Sequence, residues 1–172
     1  MTPTYETTYE LLAAHPFLDG LTREQVERLV PWAHRQVFRA GARVFPEGGK
    51  ADRFWLIRDG RVALDTGLPG GGSVVVETLG AGAVLGWSWL FPPYRWHLGA
   101  TAMEQTLTVA LDGTGVRELC AEDTRIGHEL YRRFIQVVVD RLQATRMRLL
   151  DLYAAPQPPV ARPHEGSRAA PG

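Results

Sequence analysis

The residues most able to do chemistry sit in one short run, Gly86-Trp87-Ser88-Trp89-Leu90-Phe91-Pro92-Pro93-Tyr94-Arg95-Trp96-His97. Flat apolar rings supply stacking area, and Arg95 and His97 supply cationic or hydrogen-bonding ends. Such a set suits a pocket for a flat or apolar ligand, with Arg95 and His97 as its polar contacts. The same composition also suits a filled core or a contact surface for another protein, where Trp, Tyr and Arg are enriched. Both readings stand at this point.

Catalytic and metal chemistry find no comparable set. The histidines are His15, His34, His97, His128 and His164, with no His-x-His pair and no carboxylate at metal spacing near His97. A metal-binding β-barrel enzyme is therefore not expected. Neither a Gly-x-Ser-x-Gly elbow nor a phosphate-loop Gly-Lys-Ser/Thr run occurs, and Gly48-Gly49-Lys50 reads as a turn. No catalytic residue, metal ligand or cofactor is expected. Cys120 is the only cysteine, which excludes an intrachain disulfide, suits a reducing compartment and marks it as a small buried apolar residue.

Composition narrows the partners. Nineteen basic residues balance nineteen acidic ones, so the net field attracts neither nucleic acid nor an anionic membrane. A chain of 172 residues, 45% hydrophobic and 22% charged, is long enough for one domain with its own core. The start, Met1 to Glu10, lacks the basic and apolar pattern of a secretion signal, and no apolar stretch approaches a membrane span. The expectation is a cytoplasmic, non-membrane protein.

The elements that must hold the aromatic run follow from periodicity. Tyr9 to Ala14 reads as helix, ended at His15-Pro16 because a residue before proline leaves the helical region. Thr22 followed by Gln25 has capping-box spacing, and Val26, Leu29, Val30 and Ala33 recur at helical spacing. From Gln36 to Asp112 short runs rich in Val, Leu, Phe and Thr alternate with glycine turns. The strands predicted are Val37 to Arg39, Arg43 to Phe45, Arg53 to Arg58, Arg61 to Asp65, Ser73 to Leu79 and Thr106 to Leu111. Many short antiparallel strands closing on themselves predict a mainly β fold, an antiparallel β-roll of the jelly-roll or double-stranded β-helix kind. Thr114 is the expected cap of a short helix and Asp123 of a long one. On the long helix Ile126, Leu130, Phe134, Val137 and Val138 line one face, continued by Leu142, Thr145, Leu149 and Tyr153. The expected organisation is a helical segment over 1–34, the β-roll core over 35–112, helices over 113–153 and a disordered Pro-, Ala- and Gly-rich tail over 154–172. Residues 123–153 are the expected homodimer contact.

The stretch Gly41 to Gly60, with His15-Pro16-Phe17-Leu18 and Leu21 upstream and Leu79-Gly80-Ala81-Gly82-Ala83-Val84-Leu85-Gly86 downstream, resembles the cyclic nucleotide-binding domain family over roughly residues 10 to 153. Within it the chain looks like the sensor domain of the cyclic AMP receptor and oxygen-sensor regulator group. The resemblance implies a regulatory sensor that takes a cyclic nucleotide or similar small anion between two curved sheets and signals through its C-terminal helix. The ligand residues it implies are Gly86, Trp87, Ser88, Arg95, Trp96, His97 and Thr145. Where that family has Gly-Glu, this chain has Gly86-Trp87, and an indole donates but cannot accept from a ribose hydroxyl. The phosphate arginine falls on Trp96, with Arg95 one residue before it. Arg141-Leu142-Gln143-Ala144-Thr145 resembles the helix segment that ends in a purine-contacting threonine, followed here by Arg146. A degenerate, ligand-free roll acting as a protein-interaction subunit is the alternative, with Trp87 to Trp96 as its docking surface. Regulators of the group carry a winged helix-turn-helix after the long helix, whereas few residues follow Tyr153, so no DNA binding by this chain alone is expected.

Overall fold

A computed structural model describes residues 6–154. The expected disordered tail therefore lies outside the described residues, apart from Ala154. The chain divides into two units, the first running to Val138 and the second beginning at Val139.

Among the described residues the first unit is built on two four-stranded antiparallel sheets. The strands are β1 Ala33–Phe38, β2 Arg43–Phe45, β3 Arg53–Asp59, β4 Val62–Gly67, β5 Ser73–Leu79, β6 Val84–Leu85, β7 Gly99–Ala102 and β8 Thr106–Asp112. One sheet has the order β1-β8-β3-β6 and the other β2-β7-β4-β5. Apart from the β4–β5 hairpin, consecutive strands alternate between the two sheets, as the expected roll requires. The helices are α1 Thr8–Ala13, α2 Arg23–Leu29, α3 Gly113–Glu122 and α4 Thr124–Ala154.

Alternation along β3 explains why two cores form. Phe54 and Leu56 point one way, into a core shared with Leu11, Leu29, Trp89, Leu130 and Phe134 of the helical side. Trp55 and Ile57 point the other way, into the roll between the sheets, with Phe45, Leu64, Leu85, Trp96 and Ala110. A strand buried on both faces reads as a continuous apolar run, which Phe54-Trp55-Leu56-Ile57 is.

The helix ends are fixed by local hydrogen bonds. Thr7 and Glu10 form a capping box on α1, and Thr22 and Gln25 form the expected one on α2. His15 ends the first helical stretch and is buried: its Nε2 donates to Ile57 O at 3.0 Å, and its Nδ1 accepts from Phe17 N at 3.2 Å. Burial holds the imidazole below its usual value of 6.5, against the opposing hydrogen bond to Ile57. Asp123 caps α4 as expected, accepting from Arg125 N and Ile126 N.

Four local readings are corrected. β1 begins at Ala33, inside the stretch read as helical, because pairing with β8 overrides its helical spacing. β6 and β7 were not anticipated. Thr114 does not cap α3, since Asp112 is the cap, accepting from Gly115 N at 2.6 Å, and the helix starts two residues earlier than expected. The apolar face of α4 is two stripes: Ile126, Leu130 and Phe134 are buried, while Tyr131, Ile135, Leu142, Leu149 and Leu152 are exposed.

Candidate functional site

β6 runs directly into the aromatic segment. After Leu85, paired with Trp55 of β3, Gly86 takes φ 89° and turns the chain into a 3-10 turn over Ser88–Leu90. A side chain is excluded at Gly86 on two grounds. The left-handed conformation disfavours any L-residue, and a Cβ there would lie 2.9 Å from Cη2 and Cζ3 of Trp96.

Trp96 is the centre of the site. It is 5% exposed, its ring stacks on Phe45 at 4.0 Å, and it lies 5.9 Å from Trp55, which in turn stacks on Phe45 at 5.5 Å. The backbone holds it there. Trp96 N donates to Gly49 O at 2.9 Å, Gly48 N donates to Trp96 O at 2.8 Å, and Ala51 N donates to Tyr94 O at 2.7 Å. The β2–β3 turn is thereby zipped to the strand-like run 94–96, closing the roll at this end.

Arg95, next in the chain, points the other way. It is exposed, and its Nη1 donates to Gly48 O at 3.0 Å. Its guanidinium braces the turn from outside and does not enter the roll interior. Trp87 stacks on the His97 imidazole at 5.0 Å, and Ser88 Oγ shares a 3.0 Å hydrogen bond with His97 Nδ1. Gly86, Trp87, Ser88, Trp96 and His97 are thus brought together, with Arg95 on their outer side. Thr145 belongs to the second unit, where its hydroxyl donates to Arg141 O at 2.8 Å.

The aromatic run is therefore neither one pocket nor one surface. Trp89 is fully buried on the helical side, stacked on Phe54 at 4.7 Å and edge-on to Phe134 at 5.3 Å. Arg117 of α3 donates to Trp89 O and lies over the Tyr94 ring at 4.3 Å, pinning the loop between them. Phe91, Pro92, Pro93, Arg95 and His97 remain outside.

Sequence reasoning missed the partners of Trp96. Phe45 and Trp55 lie on inward positions of strands that had been read, but nothing in spacing alone tells which aromatics meet across the roll. It also missed Arg43, which forks onto Asp65 of β4, with one arm at 2.9 Å and another donating to Thr101 of β7. Hydrogen bonding to Asp65 raises the guanidinium further. The guanidinium lies where a Cβ of Gly99 would be, so glycine at 99 is the condition of this clasp across β2, β7 and β4.

A cyclic nucleotide needs a carboxylate for its ribose and a cation for its phosphate, directed into the roll. The indole of Trp87 cannot accept, Arg95 is directed outward, and Trp96 fills space between Phe45, Trp55 and Gly86. At the two positions the resemblance singles out, Trp87 thus supplies no acceptor and Arg95 no inward-directed cation. Among the described residues no three metal-ligating side chains converge, and no helix is long and apolar enough to cross a membrane.

The two four-stranded sheets and the β6-to-turn segment that leads out of them define a β-roll. Residues 35–123 match the cyclic nucleotide-binding domain, and the chain belongs to that family. It is 27% identical over 143 residues to the CRP-like cAMP-activated global transcriptional regulator of Mycobacterium tuberculosis, an alignment covering 83% of this chain and 62% of that protein. A solved cyclic nucleotide-binding-type protein of Geobacter metallireducens superposes with TM-score 0.71 at 27% identity, over 80% of this chain and 99% of that one. The Thermus thermophilus catabolite activator protein shares the fold, with TM-score 0.63 at 24% identity over 80% of this chain and 63% of that one.

Proposed function

We propose that this chain is a regulatory domain of the cyclic nucleotide-binding family that works without a cyclic nucleotide, its roll interior filled by its own side chains, and pairs with a second copy through α4. The observation that carries the reading is Trp96, which stands where the family's phosphate arginine is expected and stacks on Phe45 at 4.0 Å. The competing reading, a sensor of a small anion, requires Arg95 to leave Gly48 and Trp96 to leave the roll. That exchange breaks two backbone hydrogen bonds and exposes an indole, so it is disfavoured by several kcal/mol.

Pairing is supported by spacing on α4. Tyr131, Ile135, Val138, Leu142, Thr145, Leu149 and Leu152 follow one another at alternating steps of four and three, the heptad pattern of a two-helix seam. Ile135, Leu142 and Leu149 are each more than half exposed in the single chain. Thr145 falls on this seam, where a helix-interface role accounts for it.

The test is calorimetric titration and thermal unfolding with cyclic mono- and dinucleotides. A ligand at ~100 times its dissociation constant would stabilise the fold by about 2.7 kcal/mol. No heat and no shift is the expected result. A saturable shift with any of these nucleotides would overturn the ligand-free reading and return Arg95 to a phosphate role.

A further inference from the structure

A second concave feature lies away from the roll. The core-facing residues of α2 are Val26 and Leu29, and those of α3 are Val116, Leu119 and Cys120. Beside this core the two helices border a groove of about 490 Å³, lined by Glu24, Glu27, Arg28, Trp32, Glu118 and Glu122 together with Pro31 and the largely buried Leu119. Trp32 is held there by packing. A Cβ at Gly115 would run into its six-membered ring, so the indole lies directly on the first turn of α3.

The charges are unbalanced. Arg28, the only basic residue in the lining, is paired with Asp123 at 3.2 Å. Glu27 is engaged by Arg23 at 2.7 Å, whereas Glu24, Glu118 and Glu122 have no ion-pair partner among the described residues. These carboxylates do not converge on a metal-sized point. They are spread along an apolar floor, which calls for an extended occupant carrying both alkyl surface and positive charge. An arginine or lysine side chain has that character: its stem lies on indole and proline, and its cation meets a carboxylate or the ring face.

We propose that this groove is a docking surface for a basic segment of a partner protein, an amphipathic peptide whose apolar residues lie on Trp32, Pro31 and Leu119 and whose arginines or lysines meet Glu24, Glu118 and Glu122. It is independent of the ligand-free reading of the roll. Arg28 and Asp123 at its edge join α2 to the cap of α4, so an occupant would contact the start of the helix proposed to pair.

The experiment uses the full chain with ¹⁵N-labelled tryptophan indoles, the Trp32 signal assigned from Trp32→Phe. A short blocked peptide with leucines and arginines at helical spacing is titrated, beside its Arg→Gln version and spermidine. The expected result is a saturable movement of the Trp32 signal with the arginine peptide alone, and affinity at least ~10-fold weaker in the Glu24→Gln/Glu118→Gln/Glu122→Gln variant. An unmoved Trp32 signal overturns the proposal. So does an equal response to spermidine, or unchanged affinity in the triple variant at an unchanged unfolding midpoint. If the triple variant unfolds, Glu118→Lys alone is titrated under the same criterion.

Discussion

The claim that Trp96 fills the roll can be tested by its contact with Gly86. Gly86→Ala has two separable costs. Holding alanine at φ 89° costs about 1–2 kcal/mol whatever surrounds it. Its Cβ also meets Cη2 and Cζ3 of Trp96 at 2.9 Å, and overpacking of that kind costs about 1–3 kcal/mol. The sum is about 2–5 kcal/mol in the parent protein. Trp96→Leu removes both ring atoms while keeping the site apolar, so in that background only the backbone cost of about 1–2 kcal/mol remains. Urea unfolding of the parent, both single variants and the double variant gives the coupling directly, with an expected value of about 1–3 kcal/mol. If Gly86→Ala costs the same in both backgrounds within about 0.5 kcal/mol, the indole does not lie on Gly86 and the filled-roll argument fails.

Two further predictions follow from other parts of the molecule. His15 is buried in its neutral form, so its folded-state value lies below the ordinary 6.5, and stability present above pH 6.5 is lost as pH falls through the folded value. Unfolding free energy should fall by up to about 1.4 kcal/mol per pH unit in that window, and should fall less steeply in His15→Gln. An unchanged slope in His15→Gln would assign the loss to other groups. Leu142→Glu places a charge on the α4 seam, and sedimentation should show the dimer replaced by monomer with the unfolding midpoint of the first unit retained. A dimer that survives this change does not use the seam.

Much of the architecture was legible because glycine turns and alternating apolar residues are strong local signals. β2, β3, β5 and β8 were placed close to their observed bounds. β7 escaped because Gly99-Ala100-Thr101-Ala102 has little of the β-branched or aromatic character that marks a strand. Its small residues are explained only by long-range neighbours, such as the Arg43 guanidinium over Gly99. β6 has two residues, too few for a period. The departure of the site from its family was visible at Trp87. The directions of Arg95 and Trp96 were not, because side chains alternate across an extended run and a shift of one residue reverses which of the two enters the roll. The hydrogen bonds between 94–96 and the β2–β3 turn settle that register, and they link positions far apart in the chain.

A roll filled by its own aromatics still has a physical connection to its helices. The two cores share β3, with Trp55 in one and Phe54 in the other. On the helical side Phe134 of α4 meets Phe54 at 5.2 Å, Trp89 at 5.3 Å and Phe17 at 4.8 Å. Trp89 and Trp96 belong to the same segment, one anchoring it to α4's buried stripe and the other to the roll. Both anchors are buried, and close-packed interiors favour discrete arrangements over gradual ones. Phe134 is thus tied to the roll through β3 and through the segment that carries Trp89 and Trp96. On the proposed ligand-free reading, regulation comes from what binds the outer surfaces proposed above, the α4 seam and the acidic groove.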